Sequence, residues 1–154
     1  MAQAGSLVTD ELKKLVGVES EPEVWEIEKG AIVKFAQSVG DRNPLWNDPG
    51  AASKTRYGGM IAPPTFTSML RNEKLYDTIF ELDLPAKRVL NAGNEIEFFE
   101  PIRPGDVITV TGKLANIAER EGSVGRMLVL TFEYTYKNQT GKVVSIGRNN
   151  IIRY

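Results

Sequence analysis

Histidine and cysteine are both missing from this 154-residue chain. Without cysteine there is no disulfide, no thiolate nucleophile and no thiolate metal site. Without histidine there is no imidazole to move protons near neutral pH and no imidazole metal ligand, so no metal site is expected. The chain also lacks an apolar run of about 18 residues, and no membrane span is expected. An excess of positive charge is absent too. Nineteen Lys plus Arg stand against 20 Asp plus Glu, a net charge of −1, which argues against a nucleic-acid partner. "MAQAGSLVTDELKKL" has neither the basic start nor the apolar block of a secretory signal, and the cytoplasm is the expected location. What remains, 42% apolar and 25% charged residues, is the composition of an ordinary globular protein. The length suits one domain, 1–154, with a sizeable core.

Residues 1–9 read as loosely ordered and 1–20 as a loosely packed extension, with Thr9 or Asp10 placed to cap a short helix over "ELKKLVG". "VWEI" (24–27) reads as a short strand. Ile32, Phe35, Ala36 and Val39 recur at helical spacing, which predicts an amphipathic helix stopping before Gly40. "NDPGAA" supplies an Asp, a Pro and two Ala for one helical turn at 49–54. Gly58-Gly59 calls for close backbone approach or a left-handed residue. Pro63 and Pro64 suit the start of a second, mostly buried helix over about 65–75. After Pro85 the period becomes two. Leu128, Leu130, Phe132, Tyr134 and Tyr136 share one parity, and "RPGD" and "KNQTGK" separate long antiparallel strands. The expected fold class is α+β, a long central helix wrapped by a curled antiparallel sheet whose edges a second copy would cover.

Three stretches taken in order, "FAQSVGDRNPLWNDPGAA", "YGGMIAPPTF" and "NEIEFFEPIRPGDVI", resemble the MaoC-like, or FAS1-type, dehydratase family of the hotdog superfamily. The likeness runs from about Val24 to the C-terminus and is to the family's N-terminal or partner-subunit branch. It implies a hotdog fold, pairing of sheets into dimeric units, and acyl-thioester pockets at the subunit interface. Active members of the family hydrate trans-2-enoyl thioesters or dehydrate (R)-3-hydroxyacyl thioesters on coenzyme A or acyl carrier protein. They use an Asp and a His in a D-x-N-P-x-H motif. Here the motif reads Asp41, Asn43, Pro44, Leu45 and then Trp46 in the histidine's place. A second family histidine, in an Ala-His-Gly element, is replaced within Ala62-Pro63-Pro64.

The reaction needs a proton removed beside the thioester carbonyl and another delivered to the departing hydroxyl, each transfer contributing about 10²–10⁴-fold. Asp41 supplies one carboxylate, and Asp48 is the candidate for its partner. The plainer reading makes Asp41 a turn former that accepts backbone N–H groups and Asn43 a structural holder of the loop. Trp46 fills the imidazole's volume or packs against an acyl chain, and its indole N–H cannot act as a base. Tyr57 and Gly59 border the pocket on this reading. The N–H groups of Ile61, Ala62 and Thr65 are the candidates to hold a thioester oxygen, because Pro63 and Pro64 have none. Arg103 is a candidate phosphate contact or a solvated turn residue.

Three functions stay open at this point. The first is a subunit of a heteromeric dehydratase or enoyl-CoA hydratase, whose histidine-bearing partner chain supplies the catalytic Asp and His. The second is a self-sufficient hydratase or thioesterase acting through Asp41, for which a homodimer would suffice. The third is a non-catalytic acyl-CoA binding protein. None calls for a bound cofactor; the substrate would arrive as a coenzyme A or carrier-protein thioester.

Overall fold

The computed structural model describes residues 5–123 and 125–154. The expectation of loose order at 1–9 falls partly on residues 1–4, which lie outside the described residues. Helix α1 (Asp10–Leu15) starts where the Thr9 hydroxyl accepts the Leu12 N–H at 3.2 Å, and Leu12 itself is fully buried. Just before it, Ser6 Oγ and Leu7 N donate to the Glu119 carboxylate at 2.9 and 3.1 Å.

After β1 (Glu23–Glu26) comes α2 (Lys29–Ser38), whose Ile32 and Ala36 are buried as the spacing predicts. Two single-turn helices come next, α3 (Pro44–Asn47) and α4 (Pro49–Ser53), each led by a proline at its first position, where a missing N–H costs nothing. A 3-10 helix occupies Pro64–Met69 and α5 occupies Glu73–Phe80. Four strands complete the chain: β2 (Val89–Phe98), β3 (Val107–Gly122), β4 (Gly125–Lys137) and β5 (Val143–Arg153).

The sheet is antiparallel throughout, in the order β1-β3-β4-β5-β2. Its registers put Val110 opposite Tyr136 and Leu114 opposite Phe132, so one face is apolar across the central strands. Ile108, Val110, Leu114, Leu128, Leu130 and Phe132 on that face are fully buried. Leu75 and Ile79 of α5, Phe66 of the 3-10 helix, and Ile32 and Ala36 of α2 belong to the same cluster. Each such side chain contributes about 1.5–3 kcal/mol relative to exposure. The opposite face is polar. There Glu133 pairs with Lys113 at 3.0 Å and Arg148 at 2.9 Å, and Arg148 reaches Glu97 at 2.9 Å. A sheet with one dry and one wet face is what the alternation along β4 encodes.

Two expectations fail. No long central helix spans 65–75, and the sheet is open rather than curled around one. The helical run is interrupted at Leu70 (φ −88°, ψ 77°) and Asn72 (φ −101°, ψ 95°). Asn72 causes the break. It is fully buried, its amide donates to Glu21 O at 2.8 Å and Val110 O at 3.0 Å, and its Oδ1 caps α5 through the Leu75 N–H at 3.2 Å. A residue tied at once to β3 and to the first turn of the next helix cannot continue the previous one. Helix α5 is only eight residues long, rising about 12 Å, against about 36 Å for an eleven-residue strand such as β5. Such a helix is too short to be wrapped, and β1 and β2 remain as two free edges.

Candidate functional site

The segment after α2 is shaped by side chains that bind its own backbone. Gly40 adopts a left-handed conformation (φ +72°), and the Asp41 N–H returns to Ala36 O at 2.8 Å. Asp41 Oδ1 then accepts the Asn43 N–H at 3.0 Å. Asn43 Oδ1 caps α3 through the Leu45 N–H at 3.0 Å. The Asn47 amide donates to both Asp41 O and Asn43 O at 3.0 Å. Asp48 Oδ1 caps α4, accepting Gly50 N at 2.8 Å and Ala51 N at 3.1 Å. Asp41 and Asp48 share no hydrogen bond among the described residues, and each holds a turn or a helix start. Asp41 is half-buried in an open hollow with Gln37, Arg42 and Asn47. Trp46 is buried, at 7% exposure, and its indole N–H meets no acceptor among the described residues.

The next stretch builds a cleft. Gly58 turns the chain (φ +65°), Gly59 is half-buried, and Met60, Ile61 and Ala62 enter the core. Tyr57 is held from behind: Arg103 Nη1 donates to its carbonyl at 2.9 Å while the Arg103 N–H donates to Asp106 Oδ2 at 2.7 Å. The guanidinium thus ties two loops together. Tyr57's hydroxyl accepts from Arg56 at 2.8 Å. Of the three candidate N–H donors, Ile61 is engaged by Leu45 O at 3.3 Å and Ala62 by Ile102 O at 2.7 Å. The Thr65 N–H meets no acceptor among the described residues.

Tyr57, Ile61, Ala62, Pro63 and Pro64 line a cleft of about 180 Å³. Its opposite wall is Phe98–Ile102 with Val144 and Ser145. The second and third of the stretches singled out in the sequence therefore meet across one cavity, while Asp41 lies in a separate hollow. Thr65 is not on this cleft; it faces a second cavity on the other side of the 3-10 helix. Thr67, the Phe98-Phe99 pair and Ser145 were not anticipated as lining. Phe98 and Phe99 both stay half-exposed, at 50% and 54%.

The carboxylates with shifted titration stand elsewhere. Glu133, held below the ordinary carboxylate range first by Lys113 and then by Arg148, is on the wet face of the sheet. Glu119 is lowered by Arg126, then by Ser6, near the N-terminal segment. Among the described residues no cluster of three carboxylates is placed to hold a metal ion, and no helix is long and apolar enough to cross a membrane.

A one-faced antiparallel sheet, short helices over its dry side and a Pro-Pro turn roofing a cleft define a hotdog-type α+β protein. The family model described as FAS1-like, dehydratase domain region, matches residues 14–146, and the chain belongs to that family. A UPF0336 protein of Thermobifida fusca is 34% identical over 114 residues, covering 73% of this chain and 74% of that one. The MaoC-like dehydratase of Rhodospirillum rubrum is 26% identical, with a TM-score of 0.71 over 93% of this chain and 95% of that one. The truncated HadBC complex of Mycobacterium tuberculosis, a 3R-hydroxyacyl-ACP dehydratase, shares the fold at 19% identity. Its TM-score is 0.76 over 90% of this chain and 96% of that one.

Proposed function

We propose that this chain is the pocket-shaping subunit of a heteromeric (R)-3-hydroxyacyl-thioester dehydratase, running equally as an enoyl-thioester hydratase. One observation carries the reading. The motif reads Asp41, Asn43 and Pro44 with Trp46 where the family's motif has histidine, and both nearby carboxylates serve the backbone. In the dehydration a base takes the proton from C2. The electron pair builds negative charge on the thioester oxygen, then expels the C3 hydroxyl, which leaves as water once an acid protonates it. The base and the acid would come from a histidine-bearing partner chain. This chain would contribute the cleft under Pro63-Pro64 and the apolar wall of Phe98 and Phe99. The heteromeric relatives support the partner. So does β2, an edge strand ten residues long that is exposed along nearly all its length and, among the described residues, pairs with β5 on one side.

The test is hydration of a trans-2-enoyl-CoA by the chain alone and by the assembly captured from its own cells. The expected result is no turnover alone and turnover in the assembly, with Asp41→Asn slowing the assembly by less than about tenfold. Turnover by the isolated chain that collapses in Asp41→Asn would overturn the proposal in favour of a self-sufficient enzyme. Thioester binding without turnover in any assembly would leave only a binding protein.

A further inference from the structure

On the wet face of the sheet the charges form a row across four strands. Lys113 of β3 pairs with Glu133 of β4 at 3.0 Å, Glu133 with Arg148 of β5 at 2.9 Å, and Arg148 with Glu97 of β2 at 2.9 Å. The signs alternate, and the row reaches the free edge of the sheet on a carboxylate. Glu95, two residues earlier and so on the same face, stands directly opposite Arg148 in the register. Arg148 is already bonded to Glu133 and Glu97, and Glu95 has no hydrogen bond or ion pair among the described residues.

The rest of β2 gives these carboxylates no counter-charge. Val89–Phe98 holds two acidic residues and no Lys or Arg. Arg88, just before the strand, has its guanidinium over the Tyr154 ring at 6.0 Å, and Lys142 near its far end pairs with Glu100 at 3.4 Å. The two ends of the strand are nonetheless apolar and half-exposed, Val89 and Leu90 at one and Phe98 at the other. No strand lies against its outer N–H and C=O groups among the described residues. An edge of this kind is a template for a further strand, and its charges decide which one. A second copy of this chain fits it poorly. Antiparallel overlap of the whole strand with its copy sets Glu97 against the copy's Leu90. Sliding the overlap toward Phe98 brings Glu95 and Glu97 against the copy's own carboxylates, and like charges opposite one another destabilise a strand pair. Sliding it toward Val89 leads Glu97 to Arg88, which is already seated on Tyr154.

We propose that Glu95 and Glu97 select the partner subunit by charge. The strand that pairs with β2 belongs to a different chain and carries Lys or Arg opposite these two residues, which continues the alternation of the row, and a second copy of this chain is rejected. This rests on the heteromeric reading above and states what its partner must present.

The variant Glu95→Lys/Glu97→Lys is the probe, because it turns this chain into the basic edge that the inference requires. In light scattering at micromolar concentration the parent alone should be a monomer, and an equimolar mixture of parent and variant should form a one-to-one dimer. That dimer should weaken about tenfold or more between about 0.05 M and about 0.5 M salt. Tagged and expressed in its own cells, the variant should recover at least about tenfold less of the histidine-bearing chain than the tagged parent, with Glu95→Gln/Glu97→Gln in between. Glu95→Lys alone, at the carboxylate without a bonded partner among the described residues, repeats both measurements should the double variant fold poorly. A parent that dimerises by itself, or a mixture that stays monomeric, overturns the inference. Undiminished recovery by the charge-reversed variant overturns it too, and turnover of an enoyl thioester by the recovered assembly would leave the functional reading standing. If the parent captures only its own copies, the heteromeric reading falls and this inference with it.

Discussion

On the proposed function Trp46 takes the place of an imidazole, and the polar residues around it hydrogen-bond to the chain's own backbone. Asp48 is the plainest case: its carboxylate accepts two N–H groups at the start of α4. Asp48→Ala should lower stability by about 1 kcal/mol, read as a shift in urea midpoint, without changing turnover of the assembly. Tyr136 makes a prediction about alkali. Burial raises its phenol from 10.0 to about 12, so the folded chain favours the neutral form. The stability this contributes is fully present below the ordinary value and is lost as pH rises through the folded value. The loss amounts to roughly 3 kcal/mol between those limits, and Tyr134 shifts in the same direction. Urea midpoints tracked from pH 9 to pH 12 should fall, about half as steeply in Tyr136→Phe.

Between the 3-10 helix and α5, the element scale turns on Asn72. Its side chain satisfies a strand carbonyl, a loop carbonyl and a helix N–H, all away from solvent. Asn72→Ala strands these groups, each costing about 1–3 kcal/mol when buried, and should lower stability by roughly 3 kcal/mol or more in urea denaturation. Gly112→Ala should cost about 1–3 kcal/mol by the same measurement, since the new Cβ would sit 2.8 Å from Leu75 and 2.9 Å from the Tyr134 ring. The capped and periodic elements were legible. Thr9 announces α1, the Ile32–Val39 spacing announces α2, and Asp48-Pro49 announces α4. The helix expected at 65–75 was not, because Phe66, Leu70 and Leu75 are all buried, as one helix face would be, although two elements supply them. Nothing local distinguishes Asn72 as a cap from Asn72 as an interior residue until β3 is beside it.

For the whole molecule the open sheet matters most. β1 and β2 are unpaired on their outer sides, and β2 carries Val89 and Leu90 at 46% and 53% exposure. If the assembly forms through this edge, Leu90→Lys should leave the melting behaviour of the isolated chain within about 0.5 kcal/mol of the parent, yet reduce the mass of the native assembly in light scattering. An unchanged mass would move the interface elsewhere.

The sequence by itself determined which chemistry this chain cannot do alone. The absence of imidazole and thiol is a property of composition that no folding can alter. It also determined the short capped helices and the two-residue alternation along β4, because these depend on neighbours a few positions away. Only the tertiary structure decided that the sheet stays open and that the run after Pro64 breaks at Asn72. It alone engaged the Ile61 and Ala62 N–H groups with Leu45 and Ile102, and placed two phenols from an apolar stripe beside Arg71. Each of these depends on groups distant in sequence meeting across the core, where a hydrogen bond or a charge is settled by what arrives opposite it.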